Sequence, residues 1–598
     1  MTIAEVPTVL EAGLRRVDEI ADRLFSGWNV PGLAYGVVLG DRLIHARGLG
    51  TLRVGEDATP TADSVFRIAS MTKSFTAATV LLLRDEGRLR LDDPIADHVP
   101  ELAHVRLPTT DSPPITIRHL LTMTAGFPTD DPWGDRQQGL DLDEFRQLLA
   151  GGLSFAWAPG TRFEYSNTGY GILGRLITNV CGREYREVVR DRILAPLGMD
   201  STSYLEEEVT PERKAKGYLW RDGAFLDEPM DRYGALASMG GIFTTVNDLS
   251  RWVAGFIDAF PPRDGVDGPH PLRRATRREM QQSNVPSGIV VAHASADAVP
   301  MVVTESYGYG LFVVDHLALG RIITHGGGYP GFGTNMRWHP ASGIGVIALT
   351  NGRYGPATLL AREQLDELVR SEAAPIRRTR PTRATEAAQA AVEALIDEWD
   401  DARAADLFAM NVELDEPLAR RRLTLEELRE KHGPLRRDDS EPAESRTPFH
   451  VAWWMAGDRG RLRVEISLSP ELPPKVQTFN VTSVPAPSAK LRDAAERIVA
   501  ALAGTSETGP IVIDWPAGLT VGTEVDLGAF MRSMRATEAR FAPVQLGPAI
   551  GGDGEAKATF RLDSPRGRVE LGLQVDIEAD CISGVSLVPM RGVLPDFD

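Results

Sequence analysis

The chain has 598 residues, 42% hydrophobic and 25% charged, the composition of a soluble globular protein with room for three to five domains of roughly 100–200 residues. Asp and Glu number 83 against 65 Lys and Arg, a formal charge of -18. Such a surface repels phosphate backbones, so neither nucleic acid nor membrane is expected as a partner. No run approaches the 18 or more apolar residues of a membrane span. The start, Met1-Thr2-Ile3-Ala4-Glu5, has no basic region leading into an apolar core, so no signal peptide is read and a cytoplasmic location is expected. Cys181 and Cys581 are the only cysteines and form no disulfide framework.

Residues 8–28 read as an amphipathic helix, with Leu10, Leu14, Val17, Ile20 and Leu24 on one face. Two strands follow, 32–39 and 42–49, joined by the hairpin signal Gly40-Asp41. Residues 70–85 look helical, and from 86 to about 300 the pattern is helical and loop-rich. Strand character returns at 309–314, 321–325, 334–339 and 345–350, and a helix is expected over 357–370. Strands at both ends of the first ~372 residues, with helices between, predict one antiparallel sheet flanked by helices beside a helical subdomain, an α+β architecture.

A Pro/Arg-rich stretch, 373–386, reads as a linker. Beyond it, Arg459-Gly460-Arg461-Leu462 recurs as Arg566-Gly567-Arg568-Val569. Ala388, Val392 and Leu395 match Ala495, Val499 and Leu502. Leu423, Leu425 and Leu428 match Val525, Leu527 and Phe530, and Val481, Val484 and Pro485 match Val585, Val588 and Pro589. Four segments in one order at nearly one period point to a duplication. Two small α+β modules, 387–487 and 488–598, are expected, each with helices followed by strands. Neither shows a Cys/His cluster, so they are assigned packing, homodimerisation or substrate gating.

Several chemistries are absent from the first domain. There is no Gly-x-Ser-x-Gly elbow, no His-Glu-x-x-His, and no His set with metal-ligand spacing. Gly326-Gly327-Gly328-Tyr329-Pro330-Gly331 fits a dinucleotide fingerprint, but the next residues, 332–338, alternate like a strand. Phosphate binding by that fingerprint needs a helix N-terminus, so it is rejected.

Ser70 and Lys73 stand three apart at a helix start, where the amine can reach the hydroxyl. With 28 Ser and seven Lys, about 0.3 such pairs arise by chance, so the pair alone equally describes a helix cap with a solvated lysine. Tyr165-Ser166-Asn167 lies on a loop leading into a helical run over 171–179. A Lys ammonium beside Tyr165 would lower its pKa and make it a base for a serine hydroxyl. His325-Gly326-Gly327-Gly328 ends a strand, where glycines let backbone N–H groups approach a ligand.

In this order, Ser70-Met71-Thr72-Lys73, Tyr165-Ser166-Asn167 and His325-Gly326-Gly327 resemble the serine β-lactamase and penicillin-binding-protein-like hydrolase superfamily, in its class C, esterase and D-aminopeptidase branch. Residues 66–73, 117–126 and 240–245 resemble the stretches between its motifs, and the resemblance covers about 8–372. It implies that Ser70 is the nucleophile of an acyl-enzyme, that Lys73 manages its proton and that Tyr165 is the base. Asn167, His325 and Gly327 would orient substrate, and the backbone N–H groups of Ser70 and Gly328 would form the oxyanion hole. No metal or cofactor is implied.

Two departures bear on substrate. His325, a group titrating near pH 6.5, stands where β-lactamases of the superfamily carry a lysine, and Gly326 stands in place of a hydroxyl residue. Both weaken recognition of a substrate carboxylate. The expectation is therefore a serine hydrolase for small esters or D-amino-acid amides and short peptides. Glu164 and Asp231 are candidates for holding a substrate ammonium, although solvated carboxylates describe them equally. A weak β-lactamase or D,D-carboxypeptidase is the alternative, and a non-catalytic scaffold of the same fold is the rival from another class. Specificity is expected in the loops 128–160 and 204–235.

Overall fold

The structure, a computed structural model, describes residues 8–263, 265–292, 301–316, 319–371, 373–374, 379–503, 520–522, 525–541, 543–564, 567–579 and 581–589. The described residues fall into two units that divide after Arg377. Among them, no helix is long and apolar enough to cross a membrane.

The first unit is built on an antiparallel sheet drawn from both of its ends. Strand β1 (Gly32–Leu39) turns through Gly40, at φ +62°, into β2 (Arg42–Gly50), the positive φ that a two-residue hairpin demands. The chain returns to the sheet with β3 (Val285–Ala292), β4 (Met301–Tyr307), β5 (Phe312–His316), β6 (Gly320–Tyr329), β7 (Phe332–His339) and β8 (Ile344–Thr350). Their spatial order is β2-β1-β8-β7-β6-β5-β4-β3, so β1 pairs with β8, with Leu33 opposite Thr350. Alternation sorts the side chains by face. Leu33, Tyr35 and Val37 pack with α1 (Thr8–Phe25) and α5 (Ala357–Arg370), whereas Ala34 and Val38 join the larger core on the opposite face.

That larger core contains α2 (Thr72–Asp85), α3 (Asn167–Cys181) and α4 (Val246–Asp258). Its central contact is Trp252, fully buried and stacked on Phe75 of α2 with centroids 4.1 Å apart. The indole N–H donates to Ser74 Oγ at 3.1 Å, satisfying the one polar atom that this burial would otherwise strand.

Three expectations are corrected. Strand β3 lies where a helical, loop-rich pattern is read, because Pro286 and Gly288, at an irregularity of the β3–β4 ladder, interrupt its alternation; β4 falls between that region and the first expected strand. Strand β5 begins at Phe312 rather than Tyr309, because Gly310, at φ +70°, makes a turn whose Cβ position lies 2.7 Å from the Lys73 carbonyl oxygen. Helix α3 begins at Asn167, not at 171, because Ser166 caps it by accepting from Gly169 N.

The second unit holds two successions of helices and strands. The first has α6 (Arg383–Asp397), α7 (Leu418–His432), β9 (His450–Gly457), β10 (Gly460–Leu468) and β11 (Val476–Pro485). The other has α8 (Ala489–Ala503), α9 (Leu527–Phe541), β12 (Gln545–Gly552), β13 (Lys557–Ser564), β14 (Gly567–Asp576) and β15 (Cys581–Pro589). Each has its own apolar core. The similar segments fall on corresponding elements: Val392 and Val499 on α6 and α8, Leu462 and Val569 on β10 and β14, Val484 and Val588 on β11 and β15. Arg566 and residues 375–378 of the expected linker lie outside the described residues, and the end of that linker, 383–386, is instead the first turn of α6, capped by Thr382.

Truncating the buried stack tests the core of the first unit. Trp252→Ala is expected to destabilise that unit by roughly 3–5 kcal/mol, seen as an earlier urea transition.

Candidate active site

Ser70 sits in a single 3₁₀ turn, Ala69–Met71, immediately before α2. Ala69 has φ +49°, a conformation that costs a non-glycine residue about 1 kcal/mol or more and persists only where the surroundings impose it. The surroundings are explicit. Phe66 and Arg67 pair with Phe243 and Thr244, and Ile68 N donates to Ile242 O at 2.9 Å. On the other side, the Ile68 carbonyl accepts from Thr334 Oγ1 of β7 at 2.9 Å. A Cβ on Gly327 would overlap that same carbonyl oxygen. Gly327 therefore lets β6 close onto the Ser70 turn.

Lys73, fully buried, places Nζ 2.9 Å from Ser70 Oγ, 2.7 Å from Asn167 Oδ1 and 2.9 Å from the Met239 carbonyl oxygen. Burial lowers its pKa to about 8, against the opposing field of Asp131, Asp135 and Asp130. The ring of Tyr165 has its centroid 5.0 Å from Nζ and stacks on Phe312.

The Tyr165 phenol is held well above 10, chiefly by burial and then by the negative field of Asp131, with its hydrogen bond to Ser70 only partly offsetting both. This reverses the expectation of a lowered pKa. The Lys73 cation is itself disfavoured in the same pocket, and carboxylates outnumber it there.

His325 is corrected in the same sense. Its Nδ1 lies 2.6 Å from the Gly326 carbonyl and its Nε2 lies 3.2 Å from the Tyr307 hydroxyl. A carbonyl only accepts, so Nδ1 carries the proton and Nε2 accepts from Tyr307. Burial, and then the Lys73 charge, push its pKa down to about 3. It does not titrate near 6.5. Its ring packs against Phe312 at 5.4 Å, one layer behind Tyr165.

Gly328 faces Tyr354, whose Cδ1 lies 2.7 Å from the Cβ position. The nearest atom to a Cβ on Gly326 is Thr358 Oγ1 of α5, 3.2 Å away. Glu164 and Asp231 both have protein partners. Glu164 accepts from Trp157 Nε1 at 2.9 Å and from Thr129, and Asp231 accepts from the Tyr329 hydroxyl.

Residues 17–370 match the family model described as Beta-lactamase. The chain belongs to this family. It is 31% identical over 246 residues to the D-alanyl-D-alanine-carboxypeptidase/endopeptidase AmpH of Escherichia coli K12, covering 41% of this chain and 62% of AmpH. The chain thus spans less than two thirds of that relative. It is also 31% identical to penicillin-binding protein 4 of Amycolatopsis lactamdurans, over 58% of this chain and 88% of that protein. Among solved structures, the octameric penicillin-binding protein homologue from Pyrococcus abyssi aligns over 97% of this chain and 98% of that one, at a TM-score of 0.52 and 18% identity.

In this unit Ser70, Lys73, Tyr165 and Asn167 meet directly, while His325 packs on Phe312 beside Tyr165. Sequence reasoning missed three carboxylates. Asp130 accepts from Asn167 N at 2.6 Å and Thr168 N at 2.8 Å, complementing the start of α3. Asp131 accepts from Asn167 Nδ2 at 2.7 Å. Asp135, pushed up to about 6 by burial, accepts from the Tyr354 hydroxyl at 2.8 Å. Their one signal is the density of acids in Asp130-Asp131-Pro132 and Asp135, inside a loop expected to carry specificity. The Met239 carbonyl, a backbone group, has no side-chain signal at all.

The glycines separate packing from chemistry. Gly327→Ala is expected to push β6 off the Ser70 turn and slow labelling by a fluorophosphonate at least tenfold, whereas Gly326→Ala retains most of the rate; comparing the two labelling rates checks this.

Proposed function

We propose that this member of the beta-lactamase family is a serine hydrolase that opens small esters or D-amino-acid amides and short peptides through an acyl-enzyme on Ser70. One observation carries the reading: of the three groups around Lys73 Nζ, two are carbonyl oxygens, which only accept. A neutral amine has two N–H bonds and one lone pair. With both N–H groups given to Asn167 Oδ1 and Met239 O, the lone pair is left for the Ser70 hydroxyl, the only partner with a proton to give.

In this reading Lys73 takes the Ser70 proton as Oγ attacks the substrate carbonyl. The resulting ammonium then has three N–H groups for the same three acceptors. Backbone N–H groups of Ser70 and Gly328 receive the oxyanion, an interaction whose loss typically costs about 10²–10³ in turnover. Tyr165, neutral at working pH, passes its proton to the leaving group and recovers one from Lys73. Water then attacks the acyl-enzyme by the reverse transfers.

The substrate class is supported by His325, which stands uncharged where a carboxylate would need a cation. The name of AmpH includes carboxypeptidase and endopeptidase, which supports peptide bonds and keeps a D,D-carboxypeptidase or weak β-lactamase as the second reading. Intact-protein mass spectrometry distinguishes them. A fluorophosphonate is expected to add once to the wild type and not to Ser70→Ala. A persistent penicillin adduct would favour the second reading, and no adduct from either reagent would leave a non-catalytic scaffold.

The pH dependence follows from Lys73. Its neutral fraction falls as pH drops through about 8, so fluorophosphonate labelling is expected to slow about tenfold per pH unit below that point and level off above it. Because His325 is neutral down to about 3, His325→Asn is expected to leave the midpoint where it is. A stopped-flow or quenched labelling series across pH 5–10 measures both.

A further inference from the structure

Asn167 has two chemically opposite ends, and only one serves the arrangement just described. With Oδ1 toward Lys73, the amide accepts an N–H of the amine. Turned over, Nδ2 would donate into the amine's lone pair, the electrons that Ser70 requires. Nothing in the Asn167 backbone chooses between these states. The backbone N–H is held by a different residue, Asp130, at 2.6 Å, and Ser166 and Asp130 together cap α3.

The choice is made by the neighbouring carboxylate. Asp131 Oδ1 lies 2.7 Å from Asn167 Nδ2, and a carboxylate has only acceptors to offer. The short helical turn Asp131–Gly134 is pressed closely onto Asn167: the Cβ position of Gly134 lies 2.9 Å from Asn167 Cβ.

We propose that Asp131 is a positioning residue: its carboxylate pins the Asn167 amide so that Oδ1 faces Lys73, and so reserves the Lys73 lone pair for Ser70. This rests on the acyl-enzyme reading above. The two adjacent acids divide the work, Asp130 holding the backbone of α3 and Asp131 the orientation of one side chain. The titratable groups facing Lys73 from the packed elements are Asp130, Asp131, Asp135, Tyr165, Tyr170 and His325. Of the three acids, Asp131 alone bonds the side-chain amide of Asn167 that contacts the amine. Its charge also favours the ammonium, so removing it has a sign: Lys73 becomes easier to deprotonate.

The test uses the full chain, ¹³Cε-lysine labelled, in which seven lysines are observed and Lys73→Arg assigns the signal. The Lys73 titration midpoint is expected to move down by about one pH unit in both Asp131→Asn and Asp131→Ala. Fluorophosphonate labelling at the high-pH plateau is expected to fall roughly tenfold in Asp131→Ala, which leaves the amide unpinned. Asp131→Asn, whose amide can present either an oxygen or an N–H to Asn167, leaves both orientations open and is expected to recover only part of that loss. An unmoved Lys73 midpoint overturns the proposal, as does labelling of either variant at the wild-type rate. Failure of the wild type to label at all overturns the acyl-enzyme reading instead, and the lysine titration then still decides whether Asp131 acts on Lys73.

Discussion

Everything in the site is arranged around a primary amine with no access to water. A buried ammonium is costly unless each N–H has an acceptor, and here three acceptors converge from three separate segments. They are the turn before α2, the first residue of α3 and the carbonyl of Met239. No two are close in sequence, so the pocket exists only when the helical core has closed around α2. The same enclosure that strips water from Lys73 keeps Tyr165 a phenol and His325 a neutral imidazole. One physical cause, desolvation, is thus the largest influence on the protonation of Lys73, Tyr165 and His325 alike.

The remainder of the unit serves as a frame for that enclosure. Gly327 allows β6 to close on the Ser70 turn, and Gly310 allows the turn before β5 to sit on the Lys73 carbonyl. Behind the nucleophile lies a second buried cation, Arg67, with its guanidinium 4.0 Å from the Tyr329 ring and hydrogen-bonded to Gln138 and to the Gly240 carbonyl. Its partners draw together the Ser70 turn, the loop at 138 and the strand at 329. Arg67 is spent on structure, which leaves Lys73 as the cation in contact with the nucleophile.

Much of this was legible in the sequence, and the reasons differ by residue. Ser70 and Lys73 could be paired because a helix turn enforces their proximity, and β1, β2 and α5 could be placed because their apolar patterns are uninterrupted. The strand at 285–292 could not, since Pro286 and Gly288 break the alternation that marks a strand. The protonation states of Tyr165 and His325 were not legible because burial dominates both, joined at Tyr165 by the field of Asp131 and at His325 by the Lys73 charge. A motif records which residues are present but not how much water surrounds them. Asp131 was invisible for a related reason: its significance lies in a hydrogen bond across 36 positions.

The order of the sheet has a consequence for synthesis. Strand β1, almost wholly buried in the finished protein, has β2 on one side and β8 on the other. β8 leaves the ribosome roughly 300 residues later, about 15–60 s at typical elongation rates. Throughout that interval the nascent hairpin carries an unpaired apolar edge and cannot complete its fold. The chain is therefore obliged to fold late, and its early segment is the part on which a chaperone would act.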